Sequence, residues 1–271
     1  VKLYPKRGFE FAADGNSGLW CPSLTGGTGY QVFDSNFGTV NTGTATGYTD
    51  AGSPWIRNEQ GNSLDFNGAS NHVVIDNSRS LNFSASMSLA FWVKTGANVS
   101  SLSMLAAKAI VSPAQISYRV WIQTSRLNFQ ISRTGSGEFG QRQSSILNPN
   151  TTYFFAVRFQ GSRVQDIFLN GVLDNAAFLG TIRPSCFVGQ TPLIIGAQAE
   201  TSSTISAPFL GQMAEVCTWN RALTVGEIRT LYEAGPGGAW QLEPVRRVSY
   251  FAQTLPLPVR RRSSRFLTFP G

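Results

Sequence analysis

The single histidine, His72, and three cysteines, Cys21, Cys186 and Cys217, are the residues best suited to hold a soft metal or to pair a nucleophile with a base. A tetrahedral zinc site draws on about four such ligands, usually with two of them closely spaced. Here the cysteines lie far apart with no C-x-x-C pair, so spacing supplies neither a zinc site nor a disulfide framework and points to buried free thiols. One imidazole and no G-x-S-x-G turn leave a hydrolase triad without its parts. The glycine-rich GSGEFG stretch at 135–140 lacks the Lys-Ser/Thr pair and the following helix that cradle phosphate, and reads as a strand connection.

Charge is concentrated at the C-terminus. The chain carries 22 Lys and Arg against 15 Asp and Glu, a net charge of +7. From Val245 onward it holds Arg246, Arg247, Arg260, Arg261, Arg262 and Arg265 with no acidic residue, which leaves the remainder at only +1. The basic balance therefore belongs to an appendage and does not make the body a nucleic-acid binder. Apolar residues, Tyr250, Phe251, Phe266 and Phe269 among them, are too frequent there for a solvated tail. Pro244, Pro256, Pro258 and Pro270 oppose helix and central-strand pairing. Residues 236–271 thus read as an extended arm whose arginines and aromatic rings dock on an acidic, partly apolar surface. Nucleic acid would account for the arginines but not for the apolar groups between them. Residues 1–17, also basic and aromatic, read as a second arm.

The elements that must position any site are strands. Only 14 % of residues are charged, while Gly, Ser, Thr, Asn and Phe abound, a mixture suited to sheets and turns. In MSLAFWVKT, Met87, Leu89, Phe91 and Val93 alternate with Ser88, Ala90, Trp92 and Lys94, the period of a half-buried strand. Tyr118, Val120 and Ile122, then Leu127, Phe129 and Ile131 across a polar break at Thr124–Arg126, predict a hairpin. Tyr153–Phe159 and Val164–Leu169 predict another around Gly161-Ser162, and Asn170-Gly171 is a two-residue turn signal. One helix is expected: Thr224 and Glu227 form a capping box, Ile228, Leu231 and Tyr232 share a face, and Gly235-Pro236 is a stop. No apolar run reaches membrane-spanning length, so membrane insertion is not expected, and the first residues lack a signal-peptide core. The sum is an all-β, antiparallel two-sheet sandwich over residues 18–235, with one short C-terminal helix and extended terminal arms.

Five segments in order, Ser63–Ile75 (SLDFNGASNHVVI), Met87–Thr95, Tyr153–Leu173, Leu193–Ala197 and Phe209–Gly235 (FLGQMAEVCTWNRALTVGEIRTLYEAG), resemble laminin-G-like domains of the concanavalin A-like lectin/glucanase superfamily, in the variety found in bacterial surface proteins and phages. Gly18–Asp34 is similar to the opening strand of such domains. The resemblance implies a jelly-roll sandwich, while function does not travel with the fold. Glycosidases of that superfamily set carboxylates close together on one strand, because two acids must flank the scissile bond. The acids here are dispersed and Glu215 stands alone in its strand, so no enzyme is expected.

The resemblance further implies a calcium site at the rim, on Asp65, Asn67 and Asn71, with amides where carboxylates serve a hard cation best. The competing reading of these residues is turn chemistry, side chains bonding to nearby backbone. No other cofactor is expected. Sugar binding would use an aromatic platform, for which Trp92 and Trp121, opposite the most apolar registers of their strands, are the candidates. Sandwich and arms together resemble a virion structural protein, a phage capsid decoration or other virion surface protein, docked on a capsid partner, homo-oligomeric and able to contact cell-surface glycans. The alternative is a carbohydrate-binding module of a bacterial surface or secreted protein, placed extracellularly; a degenerate glucanase is the third.

Overall fold

The structure is a computed structural model and describes residues 9–13, 30–32, 41–48, 55–58 and 61–235. Among them the chain forms nineteen strands and one α-helix. In order these are β1 (Phe9–Ala13), β2 (Tyr30–Val32), β3 (Gly43–Thr46), β4 (Trp55–Asn58), β5 (Gly61–Asn67), β6 (His72–Ile75) and β7 (Ser86–Thr95). Next come β8 (Ser103–Ile110), β9 (Gln115–Gln123), β10 (Arg126–Ser132), β11 (Phe139–Ile146), β12 (Thr152–Gln160) and β13 (Val164–Leu169). The last are β14 (Val172–Leu173), β15 (Ala177–Gly180), β16 (Leu193–Ile195), β17 (Gln198–Ala199), β18 (Ile205–Ser206), β19 (Leu210–Trp219) and α1 (Val225–Glu233). No helix among the described residues is long and apolar enough to cross a membrane.

The strands make two sheets of almost wholly antiparallel pairs. The smaller runs β14-β13-β12-β7-β19-β5-β4, with β1 also on β19; the larger runs β15-β11-β10-β9-β8-β16-β6-β3-β2, with the β17–β18 hairpin beside β8. Period-two alternation sends Leu89, Phe91, Tyr118, Phe129, Phe155 and Phe159 between the sheets, where each is fully buried. Phe91 and Phe155 meet edge to face at 6.0 Å and 88°. The two-residue turns fall where expected. Thr124 and Ser125 (φ 52° and 56°) close β9–β10, and Asn170 and Gly171 (φ 50° and 77°) close β13–β14. Paired positive φ values match the twist of the strands they join.

Residues 1–17 are not all arm. Phe9–Ala13 is a sheet strand, paired antiparallel with Val216–Trp219. The reason lies in β19. It borders β7 along one edge, but β5 reaches only Leu210–Met213 on the other. A bulge follows, with Glu215 at φ 53°, and the backbone beyond it takes its partners from β1. The C-terminal arm, residues 236–271, with Arg246, Arg247, Tyr250, Phe251, Arg260, Arg261, Arg262, Arg265, Phe266 and Phe269, lies outside the described residues.

Helix α1 lies on the outer face of the smaller sheet, through Ile228, Leu231 and Tyr232. Its capping box is complete: Glu227 N–H donates to Thr224 Oγ1 at 3.2 Å and Thr224 N–H to Glu227 Oε2 at 2.8 Å. The Arg221 guanidinium donates to both carboxylate oxygens of Glu227. That hydrogen bonding, opposed by partial burial and helped by Thr224, holds the Glu227 carboxyl down at about 2. A depressed folded-state value means the charged form contributes stability above the ordinary carboxylate range and loses it as pH falls toward 2. Glu227→Gln should therefore destabilise by about 1 kcal/mol at neutral pH, and its gap from wild type in urea midpoint should close between pH 5 and about 2. A gap independent of pH would show that the charge contributes nothing.

Candidate functional site: a cleft on the outer face of the larger sheet

Strand β6 turns Val73 and Ile75 into the inter-sheet core, so His72 and Val74 face outward. Ile194 of β16 does the same between Leu193 and Ile195. With Ile110, Ala199 and Ile205 these side chains form a separate aliphatic cluster on the outer face. The β17–β18 hairpin rises over it, and its connecting loop, Thr201, Ser202, Ser203 and Thr204, supplies one wall. Thr46, His72 and Pro192 complete a cleft of about 390 Å³, within the size range of small-molecule sites.

The loop is held by its own hydrogen bonds. Thr201 Oγ1 and Thr204 Oγ1 lie 2.7 Å apart, Glu200 N–H donates to Thr204 O at 2.8 Å, and Ser203 N–H donates to Thr201 Oγ1 at 3.3 Å. Val111 N–H to Ala199 O (3.1 Å) and Ser112 N–H to Glu200 O (2.8 Å) fasten it to the end of β8. His72 Nδ1 is 2.7 Å from Ser70 O. A carbonyl only accepts, so Nδ1 carries the proton, and in the neutral ring Nε2 is an acceptor. On the core side of the same sheet, where it pairs with Tyr118 and Leu193, buried Lys108 donates from Nζ to Thr191 O and to Asn77 Oδ1 (2.7 Å), fixing the residue before Pro192. Burial lowers this ammonium to about 8 and pushes the Cys186 thiol up to about 12, so the thiol is protonated at neutral pH. Among the described lining residues the only ionisable side chain is His72.

The residues singled out from sequence lie elsewhere. Trp92 is 6 % exposed, beneath α1, with its ring 5.2 Å from Phe154 and 5.8 Å from Tyr232. Trp121 is likewise 6 % exposed, packed with Met104, Ala107 and Ile116, with Arg119 stacked over its ring at 5.3 Å. Neither offers a platform to a sugar, because each outward face is covered and the indoles fill that packing layer. The expected calcium ligands do not converge as a cation site. Asn67 Oδ1 accepts the backbone N–H groups of Ala69 (2.9 Å), Ser70 (2.9 Å) and Asn71 (3.1 Å), and Asn71 Nδ2 donates to Asp65 O at 3.3 Å. The amide oxygen proposed for the metal is thus spent on a turn. Among the described residues no group of three or more His, Cys, Asp or Glu is placed to hold a metal.

No local sequence pattern assembles the cleft. The hydroxyl run at 201–204 is its only local signal, whereas its floor comes from strands joined by long-range pairing.

Residues 67–229 match the laminin-G-like family model described as the concanavalin A-like lectin/glucanases superfamily. No curated protein matches by sequence. Among solved structures, the binding domain of Paraclostridial Mosquitocidal Protein 1 is similar with a TM-score of 0.61 at 11 % identity, over 84 % of this chain and 52 % of that one. The receptor binding domain of botulinum neurotoxin D gives 0.59 at 9 % identity over the same shares. The botulinum neurotoxin D ligand binding domain in complex with N-acetylneuraminic acid gives 0.56 at 12 %, over 84 % and 51 %. The chain spans about half the length of each of these proteins.

Proposed function

The chain belongs to the concanavalin A-like lectin/glucanases superfamily, and on that premise we propose that its sandwich is a non-catalytic carbohydrate-binding module of a surface or secreted protein. The observation that carries this reading is the cleft: an uncharged aliphatic floor beside a braced row of hydroxyls and an imidazole acceptor. Sugars present that mixture of C–H surface and hydroxyl groups, and fixed polar groups on an apolar floor give orientation at low entropic cost. The sialic acid complex of a neurotoxin domain with this architecture supports the same class of ligand. A binding role also agrees with the ion pairing of acids in the body: Asp166 is committed to Arg158, Glu227 to Arg221, Glu138 to Arg133 and Glu233 to Arg229. The virion reading rests on terminal residues outside the described set, and nothing in the described sandwich favours it.

A glycan array probed with the full chain should give discrete hits. His72→Ala should weaken the best of them about fivefold, the worth of one hydrogen bond. An empty array rejects the reading, and undiminished binding by His72→Ala removes the cleft as its seat.

A further inference from the structure

Resting on the glycan reading above, we propose that the cleft selects sugars whose terminal residue carries a methyl group, either in an acetamido substituent or as a 6-deoxy carbon. A plain hexose is held through stacking of its C–H face on an aromatic ring, which offers a broad polarisable plane. The described lining has no aromatic ring except the His72 imidazole, and Trp92 and Trp121 are packed away elsewhere. Nor is any described lining residue basic, so a sugar carboxylate finds no ion-pair partner there.

What the floor has is branched aliphatic surface. Val74, Ile110 and Ile205 are each half-buried and meet around Ile194 and Ala199. Such surface gains little from a hydroxyl, whose desolvation it cannot repay, and gains most from a compact methyl group. His72 lines the cleft while only 8 % exposed, and with Nδ1–H on Ser70 O its neutral ring has Nε2 left as an acceptor, which suits an acetamido N–H or a ring hydroxyl. The hydroxyls of residues 201–204 both donate and accept, and serve the rest of the ring.

The test is ligand-observed NMR titration of the full chain with two matched pairs, N-acetylglucosamine against glucose and L-fucose against L-galactose. The methyl-bearing member of each pair should bind about fourfold more tightly, the factor expected from one buried carbon, and its methyl protons should receive the strongest saturation transfer. Val74→Thr and Ile205→Thr, which keep side-chain branching in the strand, should bring both ratios toward one; if either variant fails to fold, the wild-type ratios decide alone. Equal affinities within each pair, or array hits confined to termini without a methyl group, overturn the selectivity and leave the glycan reading standing. An array with no hit removes both.

Discussion

Trp92→Ala is expected to lower the unfolding free energy by about 3–5 kcal/mol while leaving glycan affinity of the folded fraction unchanged. Trp92 is the centre of the layer between the smaller sheet and α1, stacked at 27° on Tyr232 and against Phe154. Truncation leaves a cavity that neither the sheet nor the capped helix can collapse to fill, because both are fixed by backbone pairing. Its buried indole N–H has no acceptor among the described residues, so Trp92→Phe should retain much of the stability and isolate the role as packing. Urea unfolding and glycan titration on the same samples decide the matter. Loss of affinity without loss of stability would return Trp92 to the list of ligand contacts.

Gly196→Ala should cost about 2–4 kcal/mol, combining a positive-φ penalty with overpacking of the core. Gly196 sits at φ 82°, and a Cβ there would lie 2.2 Å from Cε1 of Phe66. That ring is 1 % exposed and packs on Phe209 at 5.9 Å, so it has little room to retreat. The glycine also donates its N–H to Leu105 O and accepts from Phe209 N–H, at 2.9 and 2.8 Å. It joins Ile194 and Ala199 of the cleft floor, so the same substitution should weaken sugar binding. An unchanged thermal midpoint would mean that the aromatic layer yields more easily than its packing indicates.

The parts of the fold legible in the sequence are those written in local period and local turn chemistry. Met87, Leu89, Phe91 and Val93 do face the core, Asn170-Gly171 does turn, and Thr224 with Glu227 does cap the helix. Alternation separates the two faces of a strand but is silent about what lies over the second. Alternation alone puts Trp92 opposite the apolar register of β7, yet Ala90 and Trp92 are buried by a helix more than a hundred residues further on. The same gap explains Asn67, whose type suits both a metal and a turn, and whose three backbone donors settle it locally. The cleft was illegible because Thr46, His72, Ile110, Ile194 and Thr201 meet only through sheet pairing between distant segments. Nothing local to Phe9–Ala13 announces that the far half of β19 needs a neighbour, so its strand is hidden in a stretch with the composition of an arm.

The position of β19 sets how the domain must be made. The final strand of the sandwich is inserted at the middle of its sheet, between β7 and the β5–β1 side, and binds residues near 64 and 90. A growing polypeptide on the ribosome therefore holds β5 and β7 as exposed, sticky edges until Trp219 has left the exit tunnel. A product cut short before Leu210 lacks the strand that joins β5 to β7, so it is expected to leave both edges unpaired and to aggregate rather than to form a smaller sandwich.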